Sequence, residues 1–370
     1  NLDVAPDFSA VVPVLAGESG PYSGVFPTSG IRPDRNNIAP RVGFAWRAQQ
    51  RMVVRGGYGI NYSSPTYASI VRNLASQPPF AVTDTRLGTV ADPLVITTAL
   101  AGESTAETTN NYGVDANYRL GMLQIWNLDV QRDITRTMNV GVGYTGTRGS
   151  SLDVQRAPNR DANGPILPDV QPFLWEQSSG HSIMHAFTVR FRKRPTKGFG
   201  GGVTYTFSKS MDDASSIGGG GTVVAQDDQN LAAEWGLSSF DQRHRLSGDF
   251  TLELPFGPNR PWLNGEGFWG YVFGGWGWTT NVTLASGNPL TARLLSNSAD
   301  VARGTNGTLR ADWNGQPITL DNPTQLLFFN TAAFSVPAAG TYGNAARNTI
   351  PGPGNFNVNM SLAKNFRLPG

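Results

Sequence analysis

The sequence has no cysteine, three histidines in 370 residues, and only 15% charged residues. Without cysteine there is no disulfide framework, no thiol nucleophile and no cysteine-ligated zinc, a composition that also suits a chain crossing an oxidising compartment. Charge is balanced as well as scarce. Twenty-nine basic against 27 acidic side chains leave a net +2, and no basic block is present to track a phosphate backbone, so nucleic acid is not an expected partner. Long apolar runs are missing too. The strictly apolar part of the longest uncharged stretch, GFWGYVFGGWGW, falls short of the ~20 residues that a helical membrane span needs. The opening residues, NLDVAPDFSA, lack the basic-then-apolar order of a secretory signal, so the expectation is either no export or a true N-terminus further upstream. Against these shortages stand 44 glycines, 25 prolines and 10% aromatics. That many aromatics with so little net charge argues against disorder, and glycine does not recur at every third position as collagen requires. Folded β structure remains.

The positive signal is a period of two, sustained through nine segments. In RMVVRGGYGINY, Met52, Val54, Tyr58, Ile60 and Tyr62 share one face, and Arg55, Gly57, Gly59 and Asn61 the other. In TMNVGVGYTGT, Met138, Val140, Val142 and Tyr144 oppose Asn139, Gly141, Gly143, Thr145 and Thr147. Phe187, Val189 and Phe191 oppose Thr188, Arg190 and Arg192; Phe199, Val203, Tyr205 and Phe207 oppose Thr204, Thr206 and Ser208. These last two segments form a hairpin across residues 195–198. Leu246 to Leu254, Trp276 to Leu284 and Phe356 to Leu362 repeat the pattern, with Asp249 and Glu253 on the wet face of the first. RVGFAWR and QIWNLDVQR complete the set.

A soluble sandwich also alternates. Three features favour a membrane wall instead. The strands run to about ten residues, the length of a tilted membrane strand. Aromatics gather at strand ends, with Trp46, Phe191, Phe199, Trp276 and Trp278 toward one rim and Tyr62, Tyr144, Tyr205 and Phe207 toward the other. Connections alternate between tight turns and long loops, the long ones at 63–121, 148–186, 209–243 and 287–355. Residues 255–275 make one overlong turn on the tight side. The fold class is therefore all-β, about nine strands forming part of the wall of a larger transmembrane antiparallel β-barrel. Lys193 and Lys364 have outward parity at its turn end, where long side chains snorkel to headgroups.

Specific segments carry a family likeness: NNIAPRVGFAWR with VVRGGYGINY, then YTFSKSMDD, EWGLSSFDQRHRLSGDFTLELPFG, GGWGWTTNVTLASGNPL, and FNTAAFSVPAAGTYGNAARNTIPGPGNFNVNMSLAKNFRL. Together they resemble the barrel of TonB-dependent receptors, of the type with an N-terminal carboxypeptidase-regulatory-like domain. The resemblance implies a 22-stranded barrel with a plugged lumen, of which residues 1–370 are one part. The plug, the energy-coupling box, the signal peptide and the closing C-terminal strands are expected outside these residues. It further implies a multi-pass place in the bacterial outer membrane, among lipid and lipopolysaccharide. The implied partners are the plug of the same full-length protein and, through N-terminal parts, the TonB-ExbB-ExbD complex. The implied function is TonB-energised uptake of a scarce ligand, whether siderophore, carbohydrate or other nutrient. A passive channel or a surface adhesion barrel is the alternative.

Chemistry is thin. His181 and His185 stand at the i, i+4 spacing of a helical metal site, but they straddle the start of a strand and have no third ligand. Ser238, Ser239, Asp241 and His244 suggest a triad on paper, yet strand geometry does not make such neighbours converge. The glycine run at 218–221 lacks the lysine of a phosphate loop. No catalytic residue, metal site or cofactor is expected, and the chain is not expected to be an enzyme. The candidate ligand-binding residues are Arg55, Asn61, Arg190, Arg192, Asp249 and Glu253 on the wet face, and Asp212, Asp213, Asp227 and Asp228 in a loop. The two loop pairs are read as a solvated acidic loop, with calcium the competing reading.

Overall fold

The structure is a computed structural model that describes residues 1–77, 80–81, 111–170, 173–214, 225–257, 260–264, 268–294 and 309–365. Its main feature is one antiparallel sheet in which nine strands pair in chain order. They are β1 (Arg41–Gln49), β2 (Met52–Tyr62), β3 (Met122–Asp133), β4 (Met138–Arg156), β5 (Phe173–Thr196), β6 (Phe199–Asp212), β7 (His244–Glu253), β8 (Trp276–Ala285) and β9 (Asn355–Lys364). All nine coincide with the segments picked out by period two. Among the described residues, β1 and β9 are the edges of this sheet.

Register fixes the faces. One continuous cross-strand row runs Trp46, Val54, Val130, Val142, Val189, Tyr205, Leu246, Leu284, Phe356, and every member is apolar or aromatic. The neighbouring row runs Ala45, Arg55, Asp129, Gly143, Thr188, Thr206, Arg245, Ala285, Asn355, and is small or polar throughout. The first row begins near the β1–β2 turn and ends near the loop-side start of β9, the stagger of strands tilted within a wall. Its side chains are not covered: Trp46, Val142, Val189, Tyr205, Leu284 and Phe356 are all exposed. A contiguous apolar face of that extent is not left bare by a soluble domain.

The tight turns collect at one end. β5 and β6 join through Lys197 and Gly198, both left-handed at φ 52° and 82°, the paired conformation of a type I′ hairpin turn. The β7–β8 connection at the same end contains a short helix, α2 (Phe268–Phe273). No helix among the described residues is long and apolar enough to cross a membrane.

The loop end departs from expectation. Residues 148–186 were expected to form an external loop of strands about ten residues long. Instead β4 runs for 19 residues and β5 for 24, and they stay paired up to Trp175 opposite Arg156. The extension past Gly149 has register shifts between Ser178 and Ser182 and mixes polar with apolar residues, so it shows no clean alternation. Above the level of a membrane both faces meet water or loop, and nothing enforces a period of two. The 63–121 connection contributes α1 (Thr66–Ala75) and a strand at Asn111–Val114 that pairs in parallel with the top of β5.

The buried core also lies here and not under the sheet. Ile70, Tyr112, Val114 and Tyr118 form one cluster; Val4, Phe173 and Trp175 a second; Val14, Phe26 and Ala116 a third. The N-terminal segment is sewn into this layer by Asn1, whose side chain donates to Val114 O (2.9 Å) and accepts from Val114 N–H (2.9 Å).

Candidate functional site

The wet face curves into a concavity of about 580 Å³ lined by residues of β2 to β7, including Arg55, Asp129, Gln131, Asn139, Arg190, Arg192, Thr204 and Asp249. Four sequence candidates, Arg55, Arg190, Arg192 and Asp249, thus meet in one place. Arg190 on β5 reaches across β4 to an ion pair with Asp129 on β3. This reach is possible because the intervening strand carries glycine on its wet face. A Cβ at Gly143 would sit 2.9 Å from Asp129 Oδ2, and one at Gly141 would sit 3.4 Å from Arg190 Nε. Arg55 lies directly opposite Asp129 and donates to Gln131 Oε1 (3.3 Å). Arg192 and Asp249 flank Gly202 from either side. The lining therefore offers three guanidiniums against two carboxylates, with amide and hydroxyl groups between them, a surface suited to acceptor-rich, anionic or hydroxylated molecules.

Asp129 was not among the sequence candidates. Its signal was present in QIWNLDVQR, where Asp129 takes the wet parity opposite the apolar Trp126, Leu128 and Val130.

The remaining candidates lie elsewhere. Asn61 accepts from Arg41 Nη2 (2.5 Å) near the loop end of β2. Glu253, at the turn end, pairs with Arg260. Of the four carboxylates read as a solvated acidic loop, Asp212, at the end of β6, and Asp228 are buried, and Asp213 and Asp227 are partly exposed. Asp228 is buried and takes a forked contact from Arg156, Nη2 to Oδ2 at 2.6 Å and Nε to Oδ1 at 3.1 Å. Asp212 is buried against Arg347. Asp213 accepts the His181 backbone N–H through both oxygens, at 2.8 and 2.9 Å, while Asp227 caps the N–H of Gln229 at 3.0 Å. Each carboxylate thus has its own protein partner, and no group of three metal-ligating side chains occurs among the described residues. The glycine run at 218–221 lies outside the described residues.

The histidine and triad readings resolve into other contacts. His181 Nδ1 lies 3.3 Å from Asp213, whereas His185 Nδ1 is 2.7 Å from the Tyr144 hydroxyl on the outward face. Ser238 is bonded to Ser210 (2.8 Å), Asp241 accepts from Ser210 N–H (2.7 Å), and His244 pairs with the Tyr205 hydroxyl (2.7 Å). Among the described residues His181, His185 and His244 are thus engaged with Asp213, Tyr144 and Tyr205, and none of these contacts is with Ser238 or Ser239.

A second polar constellation lies in the loop layer. Tyr112 donates its hydroxyl to Glu176, which also receives Gln155 Nε2 at 3.5 Å, while Tyr118 donates to Asp153 at 2.8 Å. Glu176 sits far up β5, some twenty residues from the turn and beyond the membrane-length part of the strand. Burial, with the nearby Asp153 carboxylate adding to it, pushes Glu176 up to about 7. Burial and the same carboxylates hold both phenols well above their ordinary range.

Comparison with known proteins agrees with this architecture. The family described as "Outer membrane beta barrel domain" matches residues 3–370. Among solved structures, the outer membrane transporter YddB from Escherichia coli is similar at a TM-score of 0.43 and 9% identity, over 68% of this chain and 29% of that one. The FrpB iron transporter from Neisseria meningitidis (F3-3 variant) is similar at a TM-score of 0.39 and 8% identity, over 72% of this chain and 30% of that one. The chain thus spans less than a third of the length of either structure. No curated protein matches.

Proposed function

This chain belongs to the outer membrane beta barrel domain family, and from that premise we propose that it forms part of the wall of a receptor for TonB-energised uptake of a scarce nutrient. In this reading the wet face looks into the lumen and toward a plug carried by the same full-length protein, and the loop layer faces the outside. The observation that supports it is the inward concavity, where Arg55, Arg190 and Arg192 with Asp129 and Asp249 gather on one polar surface. Arg190 reaches over Gly141 and Gly143 to its partner, and Arg55 and Arg192 line the same surface. Such a surface serves a plug or a passing ligand rich in acceptors.

Growth competition under iron and carbon limitation, in cells carrying or lacking functional TonB, tests the reading. The protein should confer its advantage only where TonB is active, and Arg190→Gln with Arg192→Gln should reduce that advantage. An advantage that survives the loss of TonB, together with a large steady conductance in planar bilayers, would instead mark a passive channel.

A further inference from the structure

The β7–β8 connection exposes an apolar cluster that neither the lumen nor the uptake reading uses. Within α2, Phe268 and Trp269 are 70% and 60% exposed, Tyr271 is 62% exposed, and Phe273 is also open to solvent. The helix sequence, FWGYVF, carries no charge. Trp269 stacks on Phe273 with centroids 5.8 Å apart, so these rings form a patch instead of packing into a core.

The position of α2 is set by two outward residues. Trp276 begins β8 in line with Trp278, and Lys364 lies opposite Trp276 on β9. Trp276 Nε1 donates to Val272 O (3.1 Å), and Lys364 Nζ donates to Tyr271 O (2.8 Å) and Val272 O (2.9 Å). The same ammonium lies 5.2 Å from the Tyr271 ring centroid and 5.4 Å from that of Trp276. Two of the last carbonyls of α2, those of Tyr271 and Val272, are therefore held by side chains on the lipid-facing side of the wall.

We infer that α2 is an interfacial anchor, docking on the phospholipid headgroup and acyl boundary of the periplasmic leaflet. The patch is continuous with the lipid-facing wall through Trp276 and Trp278. Tryptophan and tyrosine prefer this depth, and Lys364 holds its ammonium beside the Tyr271 and Trp276 rings at the same level. A short uncharged helix pressed against the outside of a barrel at its turn rim has this boundary as its immediate surroundings.

The chain contains no native cysteine, so a nitroxide attached through Trp269→Cys reports that position without background from it. In phosphatidylcholine vesicles holding the full-length protein, collisions with lipid-soluble oxygen and with a water-soluble nickel chelate give the depth of the label. The expected result is a depth of roughly 5–10 Å below the headgroups, shallower than the same label at Val358→Cys. A label at Thr251→Cys on the wet face provides the non-lipid reference. Phe268→Cys repeats the measurement should Trp269→Cys insert poorly. A nitroxide reached freely by the nickel chelate would place α2 in periplasmic solvent, and one shielded from both reagents would place it under another protein; either result overturns the proposal.

Discussion

At the scale of single residues, burial decides which ion pairs carry stability. Arg156 and Asp228 are nearly sealed from solvent at 12% and 0% side-chain exposure, whereas Arg190 and Asp129 retain 47% and 22%. Removing one partner of a buried pair strands the other, at a cost of about 3–5 kcal/mol. A solvated pair is worth about 1 kcal/mol or less. Asp228→Ala should therefore strip hydrogen-exchange protection from residues 157–160 and 225–237 while leaving the strand amides slow. Arg190→Ala should leave the thermal unfolding of the barrel within about 1 kcal/mol of the native protein, its consequence falling on ligand or plug contact. Gly143→Ala tests the same pair sterically. A Cβ 2.9 Å from Asp129 Oδ2 must displace that carboxylate, so this variant should lose the lumen contact as Arg190→Ala does, with little cost to stability because the displaced atom is the end of a side chain facing an open concavity.

At the scale of elements, the long pair β4 and β5 joins a membrane wall to a folded loop layer, and Glu176 sits where the two meet. Its folded value of about 7 lies above the ordinary 4.5, so the native state holds the proton more tightly than the unfolded state. The stabilisation from that proton is complete below about pH 4.5 and is lost as pH rises through about 7. Local opening of the Tyr112–Val114 segment, read by hydrogen exchange, should grow between these limits and level off above them, and Glu176→Gln should flatten the profile. The same elements mark the limit of what the sequence discloses. Alternation identified all nine strands because lipid on one side and a wet lumen on the other impose a two-residue period on the spanning part. It missed the upper halves of β4 and β5, where both faces are polar or covered by loop. Asp129 was legible by parity. The partners of Asp212 and Asp228 were not, since Arg347 lies 135 residues from Asp212 and Arg156 lies 72 from Asp228, and no local pattern links positions that far apart.

At the scale of the whole molecule, the chain is inside out. Its large apolar side chains line the exterior of the nine-stranded sheet, while its buried clusters sit in the loop layer. The hydrophobic contribution of the wall is therefore realised only in a bilayer, and adjacent residues should respond oppositely to the same charge. Val282 on β8 faces outward, opposite Val358 and Gly248, whereas Thr283 faces inward, opposite Asn357 and Ser247. Arginine on the lipid face near the bilayer midplane costs about 2–4 kcal/mol, and on the lumen face it meets polar neighbours and water. Denaturant unfolding of the full-length protein in lipid vesicles should show Val282→Arg destabilised by that amount and Thr283→Arg nearly unchanged. In a soluble sandwich with a buried inter-sheet core the outward and inward costs would follow packing against a second sheet, and among the described residues no such sheet covers Val282. Equal costs for the two variants would contradict the assignment of the apolar row to lipid. A larger cost at Thr283 would mean that the lumen side is dry and tightly filled at that level, with protein packed against the inner face of β8.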